Sequence, residues 1–241
     1  MEIRISKGYI KTKDDFIKAL KEKDKEIDVE KEDKNIKYEK IILIKNYLTS
    51  EEFNDILLLP IFNHSLNKLL KINLTANELE TIPPIFLLLT ELKILTLNNN
   101  KIKKIENLEN LSKLEKLELR GNKIKKIEGI NNLNSLSTFT LSCNLINNID
   151  ESDLPKLNSL KEFGLFGNYI GIENKTMDLD IDKQNIEFLE RVIRIIKQKF
   201  ENLSQLYIGG NFITNLVGNN KNNDYTKIIH SIMPNLDIDG K

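Results

Sequence analysis

Residues 92–102 read LKILTLNNNKI, residues 114–124 read LEKLELRGNKI, and residues 136–146 read LSTFTLSCNLI. Asn100, Asn122 and Asn144 stand 22 residues apart, and a fixed step of this size marks an array of stacked coils. Within one coil, Leu117 and Leu119 alternate with exposed neighbours, as a short strand requires, while Leu114 closes the turn that leads in. Ile124 and Ile127 cover the same core from the opposite side. A single coil therefore keeps an apolar face that only another coil can bury. Asn122, where the chain leaves the strand, is predicted to bond the backbone of its own coil and the next one, because buried backbone groups must be paired. The asparagine row is thus structural, and neither catalytic nor metal-binding.

The same offsets recur outside the clear repeats: Tyr38, Ile41, Leu43, Asn46 and Leu48; Leu69, Ile72, Leu74, Asn77 and Leu79; Leu160, Phe163, Leu165, Asn168 and Ile170; Leu203, Leu206, Ile208 and Asn211. The pattern is that of a leucine-rich repeat. It predicts an α/β fold, a right-handed solenoid with a parallel sheet on its concave wall, with about seven repeats and a cap at each end. Between Asn46 and Asn77 the connection is long, with a helix N-cap signal at Thr49-Ser50-Glu51-Glu52 and Phe53, Ile56 and Leu57 on the buried side. Between Asn168 and Asn211, nearly two periods, Ile186, Leu189, Val192, Ile193, Ile196 and Phe200 recur at three and four and predict a helical insertion at about 183–200 on the convex side.

The stretch Gly171–Asp182 reads as a surface loop. Its Asp178, Asp180 and Asp182 do not make a calcium site, which needs a glycine and a later bidentate glutamate in register. Residues 1–37 read as a charged arm with two readings: a mobile segment, or a folded cap in which Phe16, Ile17 and Leu20 form a short helix over 13–25, with a solvated linker over 22–37 in either case. The solenoid then runs over 38–224, and a cap closes it over 225–241.

The chain has 241 residues, with Lys plus Arg and Asp plus Glu equal at 36 each. No net charge draws it to nucleic acid or an anionic membrane. One cysteine, Cys143, allows no internal disulfide and points to an intracellular protein, the thiol itself being a small, partly buried side chain. The start has no apolar leader segment, and the longest apolar runs (Ile41–Ile44, Ile56–Leu59, Ile85–Leu89) are too short to span a bilayer. An enzyme is not expected. The two histidines, His64 and His230, lie in a connection and in the cap, and there is no phosphate loop, nucleophile motif or metal-ligand cluster. No cofactor or metal is implied.

Residues 225–240, YTKIIHSIMPNLDIDG, resemble the C-terminal cap of intracellular leucine-rich repeat proteins, a tyrosine-led helix followed by Pro-x-Leu and Asp-Gly. Two families share the 22-residue repeat with this cap. The even repeats over 92–150 resemble the regulatory subunit type that binds protein phosphatase 1. Thr214-Asn215-Leu216, Tyr225, Pro234-Asn235-Leu236, Asp239-Gly240 and the long Asn46 to Asn77 connection resemble the acidic leucine-rich nuclear phosphoprotein family. The second resemblance implies a nuclear or nucleocytoplasmic adaptor or regulator, located in nucleus, cytoplasm or both, whose partner is a histone, a chromatin factor or a phosphatase subunit. The first implies a binder of a phosphatase catalytic subunit. The chain stops at Lys241, without the long acidic tail of the nuclear family, so binding is expected from the folded face.

On that face three rows of side chains are predicted to run across the coils: Lys71, Ile94, Lys116, Thr138, Glu162, Gln205; Asn73, Thr96, Glu118, Thr140, Gly164, Tyr207; and Thr75, Asn98, Arg120, Ser142, Phe166, Gly209. Phe166 and Tyr207 are the predicted anchors, with Gly164 and Gly209 leaving room beside them and Glu118 and Arg120 at the charged edge. Asn73, Thr96, Asn98, Thr140 and Ser142 complete the predicted protein-binding set. The alternative is that Phe166 and Tyr207 lie under the Gly171–Asp182 loop.

Overall fold

The computed structural model describes residues 2–6, 10–23, 38–172, 179–214 and 224–240. Nine strands form one parallel sheet in chain order: β1 (Glu2–Ser6), β2 (Lys40–Ile44), β3 (Lys71–Asn73), β4 (Ile94–Thr96), β5 (Lys116–Glu118), β6 (Thr138–Thr140), β7 (Glu162–Gly164), β8 (Gln205–Tyr207) and β9 (Asp237–Ile238). Strictly sequential parallel pairing is what a coil that returns to the same wall on every turn must give. The seven predicted repeats supply β2 to β8. The charged arm adds β1, whose Ile3 and Ile5 are buried, and α1 (Lys13–Lys23), which buries Phe16 and Leu20 over the first coil. Of the 22–37 stretch read as a linker, residues 22 and 23 belong to α1, and 24–37 lie outside the described residues.

One apolar core runs the length of the solenoid. Leu95, Leu117, Phe139, Phe163 and Leu206 are the buried central residues of consecutive strands, and Ile102, Ile124, Ile146 and Ile170 close the same layers from behind. Phe139 stacks on Phe163 at 5.7 Å between ring centroids, and Phe200 meets Phe163 edge-on at 5.2 Å.

The asparagine ladder is complete. Asn46, Asn77, Asn100, Asn122, Asn144, Asn168 and Asn211 are all buried. The Asn122 amide nitrogen donates to the carbonyls of Leu119 in its own coil (2.9 Å) and Leu97 in the preceding coil (3.0 Å), while its Oδ1 accepts the Ile102 N–H at 3.0 Å. The cross-coil bonds thus reach back to the preceding coil, not forward to the next as the residues alone suggested.

Immediately before each ladder asparagine stands a residue in the left-handed region: Lys45, Ala76, Asn99, Gly121, Cys143, Gly167 and Gly210, with φ between 56° and 70°. The row explains Gly121, where a Cβ would collide with the Asn99 side chain, and it places Cys143 in the turn as a half-buried thiol.

Balanced charge is used between coils. Lys93 meets Glu115 at 2.9 Å, Lys103 meets Glu80 at 2.6 Å, Lys113 meets Glu91 at 2.6 Å, and Lys101 pairs with Glu78. All are exposed, so each adds at most about 1 kcal/mol.

The two connections hold helices. In α2 (Ser50–Leu57) the Thr49 hydroxyl caps the Glu52 N–H at 3.2 Å, and Phe53, Ile56 and Leu57 are buried. The insertion is α3 (Leu179–Lys199), which begins earlier than predicted. Residues 179–182 belong to its first turn and not to a loop: Asp180 and Asp182 suit the positive end of the helix dipole, and Asp182 is buried. Asp178 lies outside the described residues.

Replacing Asn122 by leucine keeps the volume but leaves the Ile102 N–H unpaired in the core, while the Leu97 and Leu119 carbonyls each lose one of their two amide donors and keep the other, from Asn100 and Asn144. The expected cost is about 3 kcal/mol, read as a lower urea midpoint with an unchanged slope.

Candidate protein-binding site

The sheet register assembles the predicted rows. Lys71, Ile94, Lys116, Thr138, Glu162 and Gln205 are successive partners, and so are Asn73, Thr96, Glu118, Thr140, Gly164 and Tyr207. The third row is joined by backbone bonds such as Asn99 N–H to Arg120 O (2.7 Å), Cys143 N–H to Phe166 O (2.7 Å) and Gly167 N–H to Gly209 O (2.9 Å). Side chains there stand on one wall because residues two apart in a strand share a face.

Their exposures differ. Thr96 and Ser142 are each only 6% exposed, so they offer a partner little surface. Thr96 donates its hydroxyl to Glu118 at 2.8 Å, and Glu118 is further paired with Lys116 at 3.0 Å. Asn73 accepts both the N–H and the hydroxyl of Thr75, and Asn98 accepts the Arg120 N–H at 2.8 Å. Asn73, Asn98, Glu118 and Thr140 are half-buried, and Arg120 is exposed. The middle of the wall is therefore a pre-bonded polar surface.

Phe166 is different. It is 47% exposed; residues 173–178, within the loop that the alternative places over it, lie outside the described residues. Its ring lies over the next coil, 3.4 Å from where a Cβ of Gly209 or Gly210 would be, an ordinary contact; a Cβ on Gly209 would instead collide with Asp239 Oδ2 at 2.9 Å, so that glycine makes room for the aspartate and not for Phe166. Gly164 likewise makes room for no anchor: a Cβ there would stand 2.9 Å from Thr140 Cγ2 and 3.2 Å from Ser142 Oγ. That glycine admits the preceding coil and leaves no extra space beside Tyr207. Tyr207 is half-buried, and its phenol is held above its ordinary pKa by burial and then by the carboxylates of Glu162, Asp237 and Asp239.

Those aspartates belong to the cap. After α4 (Tyr225–Ile232), β9 adds only two residues, so the last sheet edge would leave open N–H groups. Asp239 Oδ1 accepts them, from Ile208 at 2.9 Å and Gly209 at 3.1 Å, and its Oδ2 accepts the Tyr225 hydroxyl at 2.5 Å. The Tyr-led helix and the Asp-Gly pair read from the sequence are one device for ending the sheet. His230 lies exposed on that helix, with Nε2 3.0 Å from the Leu236 carbonyl oxygen. Of the Thr214-Asn215-Leu216 stretch only Thr214 lies within the described residues.

With this geometry in place, comparison with known proteins agrees on the fold. A family model for Leucine Rich repeats (2 copies) matches residues 90–132. The structure is similar to that of an internalin from Listeria monocytogenes, at 22% identity and a TM-score of 0.54, covering 81% of this chain and 46% of that one. It is also similar to a leucine-rich repeat protein of Leptospira interrogans, at 18% identity and a TM-score of 0.52, covering 84% of this chain and 54% of that one. The chain thus spans about half the length of each. No curated protein matches it by sequence. The molecule is a leucine-rich repeat solenoid, a fold typical of protein–protein interaction modules.

Burial, followed by the bond to Asp239, pushes the Tyr225 hydroxyl well above the ordinary tyrosine value of 10.0. A raised folded-state pKa means that stability is fully present below the unfolded value and falls as pH rises past 10, where only the unfolded chain releases this proton. Tyr225→Phe should cost about 2 kcal/mol near neutrality, and should flatten the fall in thermal stability between pH 9 and 11 relative to the parent, about one unit either side of tyrosine's usual pKa.

Proposed function

We propose that the concave wall binds a protein partner, with Phe166 and Tyr207 as its anchors and Arg120 at the charged edge. The observation that carries this reading is an exposed phenylalanine, laid on glycines, on a wall whose other members, Ile94 and Tyr207 apart, are short or polar. Aromatic side chains bring large, stiff contact area and dominate interface energetics. The role is non-enzymatic.

The carboxylates of Glu162, Asp237 and Asp239 around Tyr207 favour a basic partner surface. That chemistry fits a histone or chromatin factor, and a nuclear or nucleocytoplasmic adaptor or regulator of the kind the cap residues resemble. The regulatory reading, in which the partner is a phosphatase catalytic subunit, rests on the even repeats over 92–150. The proposed location is nucleus, cytoplasm or both.

Affinity capture from the native cell, with identification of what elutes, separates these partners. The double variant Phe166→Ala, Tyr207→Ala should weaken capture by roughly 30-fold or more, the loss expected of a central aromatic pair at about 2 kcal/mol. Undiminished capture by a variant that still folds would refute the anchor role.

A further inference from the structure

A second surface runs along the edge of the solenoid, one residue past the asparagine ladder. The bonds Lys123 N–H to Ile102 O, Leu145 N–H to Ile124 O and Tyr169 N–H to Ile146 O, each 2.8 Å, stack successive coils there. Lys101, Lys123, Leu145, Tyr169 and Phe212 therefore occupy the same position in consecutive coils. The core does not need apolar residues at this position, since Glu78, Lys101 and Lys123 fill it elsewhere. Yet Leu145 and Tyr169 are 36% and 47% exposed, Tyr169 meets Phe212 edge-on at 5.8 Å, and Ile172 nearby is 37% exposed. A contiguous apolar strip of this kind marks an interaction site, whereas scattered exposed side chains do not.

The strip adjoins cations. The coils of Lys101 and Lys123 also carry the exposed Lys103, Lys104, Lys125 and Lys126. Lys101, Lys103 and Lys126 are paired with Glu78, Glu80 and Asp153. Lys104, Lys123 and Lys125 have no carboxylate within ion-pair distance among the described residues. One edge thus passes from unpaired cations to aromatic and aliphatic side chains.

We propose that this edge is a second docking surface, distinct from the concave wall, and that its occupant is a protein segment in which acidic residues adjoin apolar ones. The carboxylates lie on Lys104, Lys123 and Lys125, and the apolar side chains lie against Leu145, Tyr169 and Phe212. From the Lys123 coil to the Phe212 coil is three coil steps, roughly 15 Å at about 4.8 Å each, which about five extended residues span. Nucleic acid fits less well. Half of the lysines are already neutralised, and the aliphatic Leu145 and Ile172 give bases no stacking platform.

The test is fluorescence anisotropy with a short labelled peptide in which a run of glutamates precedes a Leu-Phe-Leu stretch. The parent protein should bind it, and added salt should weaken binding. Leu145→Ala with Tyr169→Ala, and separately Lys123→Glu with Lys125→Glu, should each reduce affinity about tenfold, equivalent to about 1.4 kcal/mol. All four side chains are exposed, so thermal melts should stay near the parent's. The proposal is overturned if the peptide fails to bind, if both double variants bind like the parent, or if a glutamine version binds equally well. It is also overturned if single-stranded RNA or anionic phospholipid vesicles bind the same residues more tightly than the peptide.

Discussion

A primary amide buried between two coils holds this molecule together. Each coil leaves its strand through a left-handed residue and an asparagine, and at that corner the backbone has polar groups that neither sheet nor helix can satisfy. The asparagine has two donors and an acceptor on one short side chain, enough to serve its own coil and its predecessor at once. Because its cross-coil bonds all reach backward, each coil is completed only when the next asparagine arrives. The array therefore has directional dependence, and its last coil needs another solution.

That solution is visible at both ends. At the first, Asn46 reaches back to β1 and to Ile10, with its Oδ1 accepting the Ile10 N–H at 3.3 Å. The apparently charged arm is in this respect the coil that Asn46 requires. At the other end no further strand can pair with β8 past Leu206, and the Asp239 carboxylate accepts the open N–H groups instead. The side chains that end the sheet also bring negative charge to the neighbourhood of Tyr207, so the chemistry of the concave wall at this end follows partly from how the fold is closed.

Much of this was legible in the residues. The 22-residue step, the Leu-x-Leu spacing and the repeated asparagine dictated the strands, their order and their register, because each apolar position has only one wall to face. The rows across the concave face followed from that register. Three things were not legible. Strand β1 carries no asparagine and sits amid dense charge, so its pairing with β2 leaves no mark in the repeat pattern. The start of α3 was missed because Leu179–Asp182 is acidic, a composition that suits a helix N-terminus as well as a loop. The exposures of Thr96 and Ser142 depend on how closely neighbouring coils approach, which spacing does not encode. The left-handed row could have been found, since Asn99, Gly121, Gly167 and Gly210 share one offset.

The central claim is that consecutive coils form one cooperative stack, each sealed by the next asparagine. Native-state hydrogen exchange of the cross-coil amides of Leu97, Leu119 and Leu141 tests it most directly. The account predicts that these amides exchange only through a shared opening, with equal opening free energies and a common denaturant dependence. Opening free energies that differ coil by coil, with each amide released independently of its neighbours, would contradict it.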